Sequence, residues 1–248
     1  MVRYFLELKY DGSAFHGWQL QPNASTVQEE IERQLKVLLR QDVSTIGCGR
    51  TDTGVHAQQF YLHFDYYNDL PYSDVNFVYK LNKLLPAQIA ILKIFKVPVN
   101  IHARFSAISR TYQYFIHFKK DPFVLHSWEI IQQLNVEQMR FCGQVLKSFT
   151  DFSSFAKLHA DTKTNDCELQ HFEIIERQEG IIIEIRANRF LRNMVRAIVG
   201  TLVDVGLGKI NTEEFKGIVE AKNRSFASAS APAKGLFLQQ VKYPENVK

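Results

Sequence analysis

The chain has 248 residues, 46% hydrophobic and 23% charged, which is ample for a buried core and wrong for a disordered chain. A net charge of +4, from 30 Lys and Arg against 26 Asp and Glu, permits a nucleic-acid partner without requiring one. Cys48, Cys142 and Cys167 are far apart and in no metal-ligand spacing, so they read as buried, reduced thiols and exclude a disulfide framework.

In chain order, residues 3–10 alternate as a strand that ends at the turn pair Asp11-Gly12. Thr26-Val27-Gln28-Glu29 has capping-box spacing, and Val27, Ile31, Leu35, Leu38 and Leu39 follow on one helical face. A short strand over 44–48, a Gly-rich loop over 49–57 and a strand over 58–65 come next. Ser73 caps a second helix carrying Phe77, Leu81, Leu84 and Leu85, stopped by Pro86, and 89–97 is a strand.

The same order then recurs. Residues 110–118 form a strand with Tyr112, Tyr114, Ile116 and Phe118 on one face, and Asn135 caps a helix through Val136, Met139, Cys142, Val145 and Leu146. Residues 169–178 and 181–187 form a hairpin turning at Gly180. An apolar helix runs over 190–205 to Gly206-Leu207-Gly208, a short helix over 212–221 and a strand over 235–243. Residues 120–135 and 150–168 read as loops or insertions.

Each half is thus strand–helix–strand–strand–helix–strand, the ferredoxin-like order. The expected fold is α+β. Two ferredoxin-like halves, 1–100 and 101–248 with a seam near 98–109, share one continuous, mostly antiparallel sheet. Helices cover one face and the other is left for a cleft. The charged, alternating start has no signal-peptide core, and no apolar run approaches the ~20 residues of a membrane span. A cytoplasmic protein without a membrane partner is expected.

Gly47-Cys48-Gly49-Arg50-Thr51-Asp52-Thr53-Gly54-Val55-His56-Ala57 is the segment richest in chemistry. Its glycines permit tight turns, and the flanking strands would present Asp52 at the sheet edge. Read by itself, it is equally a connector in which Asp52 caps backbone or pairs with Arg50. It lacks the Gly-Lys-Ser/Thr of a phosphate loop, and Asp52 with His56 supplies too few ligands for a metal, so none is expected. Arg186, Arg189, Arg192 and Arg196 form a basic stretch with no acidic residue inside it.

Gly49-Arg50-Thr51-Asp52-Thr53-Gly54-Val55-His56-Ala57 closely resembles the active-site motif of the tRNA pseudouridine synthase A family. Other segments match in the right order: Tyr10-Asp11-Gly12 with Phe15-His16-Gly17-Trp18-Gln19, Thr26-Val27-Gln28, Leu81-Asn82 and Leu85-Pro86. So do Ala103-Arg104-Phe105-Ser106-Ala107, Arg110-Thr111-Tyr112-Gln113-Tyr114, the stretch from Asn188 to Arg196, and Ala231-Pro232-Ala233 with Gly235-Leu236. Thr53 departs from the Ala of many members, and the loops over 120–135 and 150–168 match poorly.

The resemblance implies an isomerase that converts uridine to pseudouridine at positions 38, 39 and 40 of the tRNA anticodon stem and loop, by base flipping and without a cofactor. It implies that Asp52 is the catalytic carboxylate and that Arg196 is its ion-pair partner, keeping it ionised. By the same resemblance Tyr112 stacks on the flipped uracil and takes part in proton transfer, and Arg50 faces RNA. Arg104, Arg189 and Arg192, with Arg186, Lys119 and Lys120, are candidates for the RNA backbone. The family's members are homodimers. The rivals are a non-catalytic RNA-binding module of ferredoxin-like fold, a hydrolase using Asp52 and His56, and a related synthase acting on other RNAs.

Overall fold

The computed structural model describes residues 1–157 and 164–247. Among the described residues nine strands and five helices follow one another: β1 (Val2–Tyr10), α1 (Val27–Leu39), β2 (Ile46–Gly47), β3 (His56–Tyr66), α2 (Asp74–Leu84), β4 (Ile89–Val97), β5 (Ser109–His117), β6 (Trp128–Glu129), α3 (Val136–Val145), β7 (Leu169–Arg177), β8 (Gly180–Ala187), α4 (Met194–Gly206), α5 (Thr212–Glu220) and β9 (Leu236–Lys242). The strand order is β4-β1-β3-β9-β5-β8-β7, with β2 on β3 and β6 on β5. The class is α+β with mostly antiparallel pairing, as expected; β6 runs parallel to β5. No helix among the described residues is long and apolar enough to cross a membrane.

The chain forms two compact units, Met1–Ile108 with Leu238–Lys248, and Ser109–Phe237. In the first, β1 lies between β3 and β4, antiparallel to both. Phe5, Leu6, Leu8, Phe60, Leu62 and Phe64 are buried from the strands, and Val27, Ile31, Leu35, Phe77 and Leu81 from the helices. Thr26 caps α1 by accepting from Glu29 N at 3.2 Å, and Ser73 caps α2. In α1 the buried face takes Gln34 where Leu38 was expected, and in α2 Leu84 stays exposed.

In the second unit β8 lies between β5 and β7, antiparallel to both. Asn135 caps α3, whose Met139, Cys142 and Gly143 are buried, and α3 packs on β7 and α4. A full capping box closes the start of α5, where Asn211 accepts from Glu214 N and the Glu214 carboxylate accepts from Asn211 N.

Three local expectations change. The β7–β8 hairpin turns at Gln178-Glu179, because Gly180 already pairs with Arg177. Gly180 is needed for another reason: a Cβ there would lie 2.1 Å from the Ile116 carbonyl oxygen on β5. The apolar helix starts at Met194 rather than 190, because Asn193 adopts left-handed backbone (φ 67°), which an α-helix cannot contain. The segment 120–135 is not all loop, since it carries β6. Within the other expected loop, 150–168, residues 158–163 lie outside the described residues. The rest holds a single 3-10 turn at Ser153–Phe155 and a bridge between Asp151 and Asp166. All three cysteines are buried and unbridged.

Candidate active site

Asp52 lies half-buried in the connection from β2 to β3, and that connection is held against the segment following β1. Trp18 N donates to Thr51 O (3.3 Å), Gly54 N to Phe15 O (3.3 Å), and Val55 N to Asp52 O (3.1 Å). The hydroxyls of Tyr10 and Thr51 lie 2.9 Å apart in a buried hydrogen bond. Residues 15–18 also fix the start of α1, since Val27 N donates to Gly17 O and Gln28 N to Trp18 O. These bonds satisfy two of the donors that a helix N-terminus leaves unpaired.

Gly17 sits where the two backbones meet. Its φ is +89°, and a Cβ there would fall 2.4 Å from Thr51 O and 3.2 Å from the Asp52 carbonyl carbon. Only glycine combines that backbone with so close an approach. Trp18 anchors the segment by packing its ring 4.1 Å from that of Phe60 on β3. The carboxylate is therefore carried by backbone tied to a helix start and a strand, which limits its wander.

His56 is buried, and its Nδ1 accepts from Gly12 N at 3.1 Å. This makes it part of the same brace. Arg50 is exposed and makes no ion pair among the described residues, so the connector reading in which it holds Asp52 does not describe the loop.

Arg104 belongs to the first unit and is exposed, in a short loop organised by His102. The His102 Nδ1 accepts from Arg104 N at 3.0 Å and Phe105 N at 3.2 Å, and the Arg104 guanidinium lies over the exposed Phe105 ring.

In the second unit Tyr112 stands half-buried on β5 opposite Ile185, its ring meeting Phe190 edge-on at 5.1 Å. Arg196, in the first turn of α4, is half-buried and donates from Nε to Ala231 O at 2.8 Å. Its neighbour Tyr114 donates to Pro232 O at 2.8 Å. Burial pushes the Tyr114 phenol far above its usual range, partly opposed by the Arg196 charge.

The other basic candidates spread out. Arg189 is half-buried and reaches Thr164 Oγ1 at 3.4 Å, while Arg192 is exposed. Arg186 lies along β8, and Lys119 pairs with Glu179 at 3.0 Å. Arg189, Arg192 and Arg196 lie in or just after the turn from β8 into α4, where Phe190 meets Tyr112. Phe190 and Asn193 in that turn, and Tyr10 and Gly17 beside Asp52, are participants that periodicity does not reveal. Their only sequence signal is membership of the quoted motifs.

A family model described as tRNA pseudouridine synthase matches residues 149–244. A tRNA pseudouridine synthase A of Parabacteroides distasonis is 47% identical, covering 100% of this chain and 98% of that protein. The chain belongs to the tRNA pseudouridine synthase A family. The proteins of that name from Bacteroides thetaiotaomicron and Bacillus subtilis are 46% and 37% identical, over 100% and 98% of this chain and 93% and 99% of theirs. The family's enzymes are isomerases of tRNA uridine, and the match to these relatives spans both units.

Proposed function

We propose that this chain isomerises uridines 38, 39 and 40 in the anticodon stem and loop of tRNA to pseudouridine, as a cytoplasmic homodimer. The reaction breaks the N1–C1′ bond, joins C5 to C1′, and moves the C5 proton to solvent while N1 regains one. Atoms and electrons balance within the nucleoside, so no redox partner or cofactor enters. In this reading Asp52 is the essential carboxylate. A paired uridine must leave its stack to reach it, at a cost of a few kcal/mol.

Tyr112 is the stacking partner of the flipped base, with its hydroxyl available for proton transfer. Arg196 is the ion-pair partner of the Asp52 carboxylate in this reading. Arg50 faces the RNA, and Arg104, Arg189 and Arg192 offset the cost of flipping through charge-assisted contacts to phosphate.

The observation that carries this reading is the bracing of the Asp52 loop. Bonds from the segment following β1 tie the loop at Thr51 and Gly54, on either side of Asp52, and so hold the carboxylate in one place. Asp52→Asn tests it. Incubated with unmodified tRNA, the variant is expected to bind with wild-type affinity and to make at least about 10³-fold less pseudouridine, mapped chemically. Product at the wild-type rate would end the proposal. Release of free uracil by the wild type would point to hydrolysis instead.

A further inference from the structure

A cavity of about 480 Å³ opens in the second unit beside the first turn of α4. Among the described residues, Lys157, Asn193, Arg224, Ser225 and Ser228 line it with Ala227 and Ala229, and no carboxylate does. None of the roles proposed above uses it. We infer that this cavity binds a backbone phosphate of the RNA, with Arg224 and Lys157 as its cations. The inference rests on the reading of the chain as a tRNA-modifying enzyme.

Arg224 is the central observation. It is half-buried, yet among the described residues its guanidinium meets neutral oxygens alone: Nη1 donates to Ala227 O and Nη2 to Ser230 Oγ, both at 3.0 Å. Among the described residues it has no carboxylate partner. A partly desolvated cation without a counter-ion is costly, and proteins normally pair such a charge. Here the two neutral acceptors fix the plane of the fork and leave its charge unneutralised, the arrangement suited to an oxyanion that arrives with the substrate. Removal from water also lowers the Arg224 pKa, the direction expected of a guanidinium lacking an anion.

The surroundings have the same polarity. Ser230 Oγ accepts from Arg224 and, at 2.6 Å, from Asn193 Nδ2, which leaves its proton to donate. Because Asn193 turns its amide to Ser230 in left-handed backbone, it does not cap α4, and the helix starts at the cavity without a side-chain cap. The positive end of the helix dipole adds to the two cations. Lys157 is held beside the basic turn by its backbone, which donates to Arg192 O at 3.0 Å. The site therefore adjoins the stretch from Arg189 to Arg196 and extends it with residues far away in sequence.

The test measures affinity for unmodified tRNA at several salt concentrations. Each lost phosphate contact should lower the slope of log Kd against log salt by about one. Lys157→Gln, on an exposed side chain, is expected to lower it by about one and to raise Kd several-fold at physiological salt. Arg224→Gln should do the same, and Arg224→Lys should restore the slope. The double variant should lose about two.

A merely structural role for Arg224 would change Tm without changing the slope. Variants that fold as the wild type does, with unchanged slope and Kd, overturn the inference. So does binding of inorganic phosphate that the double variant loses while tRNA affinity stays the same, because the cavity would then serve a free anion. Pseudouridine formed by wild type alongside unchanged slopes sinks this inference alone. Altered slopes without any pseudouridine from the wild type sink the enzymatic reading and leave the phosphate site.

Discussion

Replacing Gly17 with Ala probes the Asp52 brace without touching any side chain assigned a chemical role. The added Cβ would sit 2.4 Å from Thr51 O, whereas ordinary contact begins near 3.4 Å. Neither atom is the end of a flexible side chain, so the two backbones must part by about 1 Å, and Asp52 is the next residue along. Misplacing a catalytic group by about 1 Å costs on the order of 10²-fold in rate. Gly17→Ala should therefore lower kcat for pseudouridine formation about 100-fold, with the KM for tRNA within about threefold of wild type. The forced positive φ adds roughly 1–3 kcal/mol of strain, a fall in Tm of about 2–12 °C for a chain of this size. Single-turnover conversion of unmodified tRNA, followed by chemical mapping, reads the rate, and thermal unfolding reads the strain. A folded Gly17→Ala protein with wild-type kcat would refute the reasoning, because Asp52 would then not depend on its brace.

Tyr112→Phe keeps the aromatic face and removes the hydroxyl. Binding should persist and turnover fall by about 10²-fold, and a full rate would exclude the hydroxyl from proton transfer. Gly180→Ala drives a Cβ to 2.1 Å from Ile116 O, between hydrogen-bonded strands that have little room to part. A loss of about 1–3 kcal/mol is expected by calorimetry, and an unchanged Tm would show that the strands give way. Burial, with the Arg3 and His102 charges, lowers His63 from its usual 6.5 to about 4. Above pH 6.5 the ring is neutral in both the folded and unfolded chain. As pH falls below 6.5 the unfolded chain takes up a proton that the folded chain refuses, so stability is lost between about pH 6.5 and 4. His63→Gln, which can still accept from Ala103 N, should show a shallower acid loss in thermal unfolding. An identical loss would assign it to other groups.

Much of the fold is legible because it is local. Thr26, Ser73 and Asn135 cap the helices they precede, since a cap needs only the donor three residues on. β4 spans the expected 89–97, since alternation ends where Pro98 begins. The start of α4 was not legible. Phe190 and Leu191 continue an apolar pattern, and nothing nearby signals that Asn193 turns left-handed to reach Ser230, 37 residues away. The exposure of Leu84 is equally invisible, because periodicity states which face a residue shares but not how wide the covering element is.

The candidate site divides the same way. From its own residues the Asp52 segment was a connector with several possible uses, and only its likeness to a family motif made it catalytic. The sequence by itself determined the alternations, caps and motif order, because these depend on neighbours a few residues apart. Only the tertiary structure decided why Gly17 must be glycine, why Gly180 is not a turn residue, and that Arg224 stands half-buried with no carboxylate partner among the described residues. Each of those depends on atoms from segments distant in the chain, and their contact distances exist only once the backbone has closed around them.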